Sequence, residues 1–165
     1  MNDQEIPNYW TGQCFGCSKT NKHSLRLRFW LSEQGCYTRY TIPDYLCGID
    51  GLAHGGIIAF LLDEVAQWTM IGRLGRMGVT REITVRYLKP VPTNTEILVE
   101  GQILNQNNKN VVLRSTLRSK EDVLLAEGES NFLLVSLSTI AKISNVAELT
   151  LQDFLARYSR IEDGN

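Results

Sequence analysis

The sequence predicts an α+β fold in which a curved antiparallel sheet wraps around one long central helix, with a short helix near the C-terminus. Three observations predict it. From Ile57 to about Gly72 an apolar run continues without a helix breaker, enough for about four turns. The second half of the chain changes to a period of two, with apolar residues alternating against polar ones. The connections between these alternating runs are short and polar, which favours antiparallel pairing. A helix that is apolar on nearly all sides must be buried, most simply by a sheet curled around it.

The elements follow in order. Leu25, Leu27, Phe29 and Leu31 alternate with Arg26, Arg28 and Trp30, the sequence SEQG at 32–35 turns the chain, and 36–42 forms a second strand. A loop rich in Pro, Gly and Asp, IPDYLCGIDG, then delivers the chain to His54, and the helix ends in the glycine-spaced GRLGRMG. Beyond it, Ile83, Val85 and Tyr87 alternate with Glu82, Thr84 and Arg86. Ile97, Val99 and Ile103 alternate with Glu96, Glu100 and Gln102, and Val111, Leu113 and Leu117 with Arg114, Thr116 and Arg118. NQNNKN at 105–110 and SKED at 119–122 read as hairpin turns, and 123–135 as a last long strand with Glu127, Glu129 and Asn131 outward. Residues 145–159 predict a terminal helix, with Asn145 and Glu148 at capping-box spacing. The expected organisation is an N-terminal segment (1–24), one sheet-and-helix domain (25–136) and a C-terminal helical extension (137–165).

Composition excludes several function classes. The 165 residues carry 17 basic and 18 acidic side chains, a formal net charge of −1, so neither nucleic acid nor an anionic membrane is an expected partner. Arg26, Arg28 and Arg39 alternate with Leu27, Phe29 and Tyr40, as on the wet face of a strand. The N-terminus lacks the basic and apolar regions of a signal peptide, and no run reaches the ~18 apolar residues of a membrane span. A cytoplasmic protein with reduced thiols is expected.

Two carboxylates interrupt the apolar helix. Asp63 and Glu64 lie about 100° apart around it, so they meet different environments. Asp63 shares a stripe with Gly56, Ala59 and Gln67, which leaves room for a ligand; Glu64 shares one with Ile57, Phe60, Leu61, Trp68 and Ile71, which cover its methylenes while the carboxylate finds an exit or a partner. Upstream, His54, Gly55 and Gly56 bring exposed backbone N–H groups to the helix N-terminus, where the dipole favours a developing negative oxygen. Donors at one end and a carboxylate two turns in suit attack on a carbonyl.

These residues carry a family resemblance. His54-Gly55-Gly56, an apolar helix with an acid nine positions after the histidine at Asp63, and the proline-terminated stretch TREITVRYLKPV (80–91) resemble the hotdog-fold acyl-CoA thioesterases, in the branch of the phenylacetate-pathway and 4-hydroxybenzoyl-CoA enzymes. The resemblance covers roughly 25–135. It implies that Asp63 is the catalytic carboxylate, as general base or nucleophile, that the Gly55 N–H polarises the thioester carbonyl, that His54 orients substrate or loop, and that Thr80 holds the lytic water. It also implies a homodimer or dimer of dimers, with the acid of one subunit facing the glycine loop of the other, acting on acyl-CoA rather than a carrier protein and needing no cofactor. Gly48 departs from one subgroup, which has asparagine there, and Asp50 is too differently spaced to replace it. A hotdog dehydratase and a non-catalytic acyl-CoA-binding module are the rival readings; histidine-to-acid spacing speaks against the first and Asp63 against the second.

The sequence CFGC, Cys14 to Cys17, is half of a zinc site, with His23, Cys36 and Cys47 as conceivable further ligands. A packed turn with reduced thiols is the expectation, and no metal site is assigned. Arg86, Lys89 and Lys109 are isolated charges, and no coenzyme A phosphate is assigned to them.

Overall fold

The computed structural model describes residues 4–158. Its strands are β1 (Glu5–Ile6), β2 (Phe29–Leu31), β3 (Gly35–Thr41), β4 (Cys47–Ile49), β5 (Leu52–Ala53), β6 (Gly78–Tyr87), β7 (Glu96–Gln106), β8 (Asn110–Ser119) and β9 (Leu124–Leu134). The helices are α1 (Gly55–Leu74), α2 (Leu137–Ile143) and α3 (Glu148–Ala156). Seven strands form one antiparallel sheet in the order β1-β2-β3-β7-β8-β9-β6, and β4 and β5 form a separate two-stranded ribbon. This is the hotdog arrangement, with α1 packed against one face of the sheet.

The apolar run does form the core. Leu61, Leu62, Val65, Ala66 and Met70 of α1 are fully buried, and Trp68 stacks on Phe29 with ring centroids 4.9 Å apart. Burying each of the leucine, valine and methionine side chains stabilises the fold by about 1.5–3 kcal/mol. The helix begins two residues earlier than its apolar run because His54 caps it. It stops where Gly75 takes a left-handed conformation, φ 57°, and returns its N–H to the Ile71 carbonyl.

The structure corrects several sequence expectations. The strand expected from Leu25 shrinks to Phe29–Leu31, because Arg26 sits at φ 54° and the Leu25 and Leu27 N–H groups donate to Phe15 and Gly16 carbonyls of the N-terminal segment. Its alternation survives as burial: Leu25, Leu27 and Phe29 are inside. The connection after β6 is a crossover, since β6 pairs with β9 at the opposite end of the sheet from β1. The C-terminal region holds two helices. Ser136 caps α2 by accepting from the Thr139 N–H, whereas α3 starts after Ala147 with no side-chain cap, so the Asn145–Glu148 capping box does not form. The expected end of that helix, residue 159, lies outside the described residues.

The two terminal segments meet over the core. The Tyr158 hydroxyl donates to the Pro7 carbonyl at 2.8 Å and accepts from the Tyr9 N–H at 3.2 Å. Trp10 meets Phe154 edge-on, and Tyr158 does the same to Trp68.

Candidate active site

Asp63 is half-buried on α1, and its Oδ1 accepts a hydrogen bond from the Thr80 hydroxyl at 3.0 Å. A bulge in β6 makes this contact. Thr80 pairs with Phe132 and Glu82 with Asn131, so Arg81 is the extra residue. Strict alternation would put Thr80 and Ile83 on opposite faces of the sheet. The extra residue turns both toward the helix. Burial raises the Asp63 carboxyl above its ordinary value, and the Thr80 hydrogen bond partly opposes that shift.

At the start of α1 the backbone donors are distributed unequally. The Gly56 N–H donates to His54 Nδ1 at 2.9 Å, and the Ile57 and Ile58 N–H groups both donate to the His54 carbonyl. Among the described residues nothing accepts from the Gly55 N–H, which belongs to the first turn and has no intrahelical acceptor. His54 therefore holds the loop through its neighbour and leaves one donor open. The Tyr87 hydroxyl donates to the Gly55 carbonyl at 3.0 Å, fixing this peptide from the strand side. Sequence reasoning missed Tyr87; its place in phase with Ile83 and Val85 was the available signal.

A groove of about 560 Å³ runs past this turn, lined among others by Gly48, Ile49, His54, Gly55, Tyr87 and Leu88. A side chain at Gly48 would meet His54 at 3.2–3.3 Å, so an asparagine there would crowd the capping histidine. That is a physical reason for the glycine. Asp50 is exposed in the turn between β4 and β5. Asp63 is not among the residues lining the groove. Asp63 lies eight positions after Gly55 along the helix, a rise of about 12 Å, whereas a carbonyl under attack needs its donor within about 3 Å and its carboxylate no more than one intervening water away.

Glu64 has the partner its surroundings called for. Its Oε1 lies 3.5 Å from Cys14 Sγ, and its carboxyl is pushed up to about 8, first by burial and then by that sulfur. The Cys14 thiol is lowered to about 6, chiefly by its hydrogen bond with Cys17, while Cys17 itself is raised. Of the further ligands considered for these cysteines none joins them. His23 is exposed, Cys36 is buried with its sulfur 3.4 Å from the Val65 carbonyl, and Cys47 lies in β4. All four cysteines are free.

Comparison with known proteins bears on the same segment. Residues 50–126, which hold His54, Gly55, Asp63 and Thr80, match the model of the thioesterase superfamily. Among relatives, acyl-coenzyme A thioesterase THEM4 of Xenopus laevis is 27% identical over 81 residues, 49% of this chain and 36% of that protein. The chain thus spans little more than a third of the length of this relative. Among solved structures, zebrafish thioesterase superfamily member 2 matches with a TM-score of 0.63 at 20% identity, covering 70% of this chain and 86% of that one. A Streptococcus mutans protein solved bound to acetyl CoA matches at 0.61 and 21% identity, covering 66% and 88%. These similarities show the hotdog fold around the site. Among the described residues no helix is long and apolar enough to cross a membrane.

Proposed function

We propose that the chain hydrolyses acyl-CoA to a free acid and coenzyme A at sites shared between two subunits. Asp63 of one subunit acts as general base or nucleophile, and the Gly55 N–H of the other polarises the thioester carbonyl. The observation that carries this reading is the pairing of an open Gly55 donor with a Thr80-held carboxylate too far along the same helix to reach it. Thr80 positions Asp63 and, with it, the lytic water, and His54 orients the loop. A carboxyl raised by burial suits a base, since its basicity exceeds that of a free aspartate. Residues 25–136 form the catalytic domain in this reading, flanked by 1–24 and 137–165.

The second subunit has a surface to cover. β6 lies at the edge of the sheet, with no strand on its outer side among the described residues, and Val79, Tyr87 and Leu88 on or beside it are exposed, as is Ile49 across the groove. Similar proteins support the substrate class: one relative is an acyl-coenzyme A thioesterase, and one fold neighbour was solved bound to acetyl CoA. The test is thiol release from short, medium, long and aromatic acyl-CoAs. Turnover of at least one of them supports the reading, and binding without turnover would replace it with a non-catalytic acyl-CoA-binding module.

A further inference from the structure

We infer that Cys14, Cys17 and Glu64 form a zinc(II) site that ties the N-terminal segment to the central helix. The three side chains each present a ligand atom within 4.8 Å of the others. A tetrahedral zinc with Zn–S of about 2.3 Å and Zn–O of about 2.0 Å places sulfur and oxygen about 3.5 Å apart, and the Cys14 sulfur lies 3.5 Å from Glu64 Oε1.

The loop is shaped for this contact. The Cys17 N–H points at the Cys14 sulfur, 3.4 Å away, as a donor that supports a thiolate. A Cβ at Gly16 would lie 2.5 Å from the Glu64 carboxylate, so the absent side chain is what lets the turn close over it. The loop is fixed from behind by the Leu25 and Leu27 N–H groups, which donate to the Phe15 and Gly16 carbonyls. Among the described residues no lysine, arginine or histidine forms an ion pair with Glu64. Two thiols and a carboxylate gathered in a largely buried place make a donor set for a soft-to-borderline divalent cation, whose binding releases the ligand protons to solvent. Three protein ligands leave the fourth position to water. Glu64 is the ligand that the sequence could not supply, fifty residues from Cys14.

The test uses the full chain, reduced, stripped with a chelator and titrated with cobalt(II) and then zinc. One equivalent of cobalt is expected, with thiolate charge-transfer absorption in the near ultraviolet and the intense visible bands of a tetrahedral centre, both displaced by zinc. Cys14→Ser should remove the charge-transfer band or weaken binding at least ~10-fold, and Glu64→Gln should weaken binding by a similar factor. In the wild type, zinc should slow thiol modification at Cys14 and Cys17, a readout that needs no variant. The inference is overturned by reduced protein that binds no stoichiometric metal, including the case in which Cys14 and Cys17 merely form a disulfide on oxidation. Binding indifferent to both substitutions overturns it too, since the metal would then sit elsewhere.

Discussion

Thr80 on the edge strand and Asp63 on the central helix are joined by a hydrogen bond of 3.0 Å that exists because β6 carries one extra residue, Arg81. Two elements distant in the sequence thus converge on one carboxylate oxygen. The hydroxyl leaves the other oxygen of Asp63 for water or a carbonyl carbon.

Asp63→Asn should reduce acyl-CoA hydrolysis by at least ~10²-fold, because the amide keeps the shape and the Thr80 contact while removing the base or nucleophile. Circular dichroism and the melting temperature should stay close to wild type. Turnover near the wild-type rate in a panel of acyl-CoAs would remove Asp63 from the chemistry.

In the proposed mechanism Thr80 acts through Asp63, so its variants should separate a hydroxyl effect from a packing effect. Thr80→Val, isosteric but without a donor, should lower kcat by about tenfold, and Thr80→Ser should restore most of it. If valine turns over normally and serine is impaired, the methyl group packing in the bulge matters and the hydrogen bond does not.

The outer face of the sheet offers a test of electrostatics away from the site. Glu127 accepts from Arg114 at 2.6 Å and from Arg86 at 3.3 Å, and Arg114 is the main reason that its carboxyl is held below the ordinary 4.5. A depressed native value means stability that is present above pH 4.5 and is lost as the pH falls through the native value. Glu127→Gln should therefore destabilise the protein at neutral pH by about 0.5–1 kcal/mol, a figure already discounted for the exposed arginines. In urea denaturation the gap between variant and wild type should close on acidification below that range. A gap that persists at low pH would assign the loss to packing.

How much of this was legible depends on range along the chain. The central helix, and the inward face of most strands, follow from periodicity, because burial imposes its own spacing on the sequence. Alternation says which face a strand presents but not which strand it pairs with. Nothing in residues 88–95 distinguishes a crossover from a hairpin, so the placement of β6 beside β9 was not readable. Arg26 looks like one more outward residue until its positive φ breaks the ladder. At the candidate site, the placement of His54 and Gly55 at the helix start and of Asp63 within the helix was legible from one contiguous motif. The bulge that aims Thr80, the Tyr87 contact with Gly55 and the Cys14–Glu64 contact are tertiary, and each joins segments that no local pattern connects.

The proposed sharing of the site between subunits can be tested by complementation, and the structure supplies a suitable partner for Asp63→Asn. Gly55 is the first residue of α1, the position at which proline is best tolerated in a helix, since its N–H has no intrahelical acceptor. His54 before it has φ −64° and ψ 136°, the extended conformation that a following proline requires. The nearest atoms to a Cβ at 55 are those of the Tyr87 ring at 3.5 Å, an ordinary contact. Gly55→Pro should therefore fold while lacking the N–H donor, and each single variant alone should be nearly inactive. When the two are mixed and allowed to exchange subunits, a hybrid dimer has one site with Asp63 and Gly55 both intact and one with neither. Equal, random exchange should recover roughly a quarter of the wild-type activity, half of the dimers being hybrids with one working site each. Verified hybrids without recovered turnover would locate the whole site within a single chain, which the ~12 Å helical rise between Gly55 and Asp63 argues against.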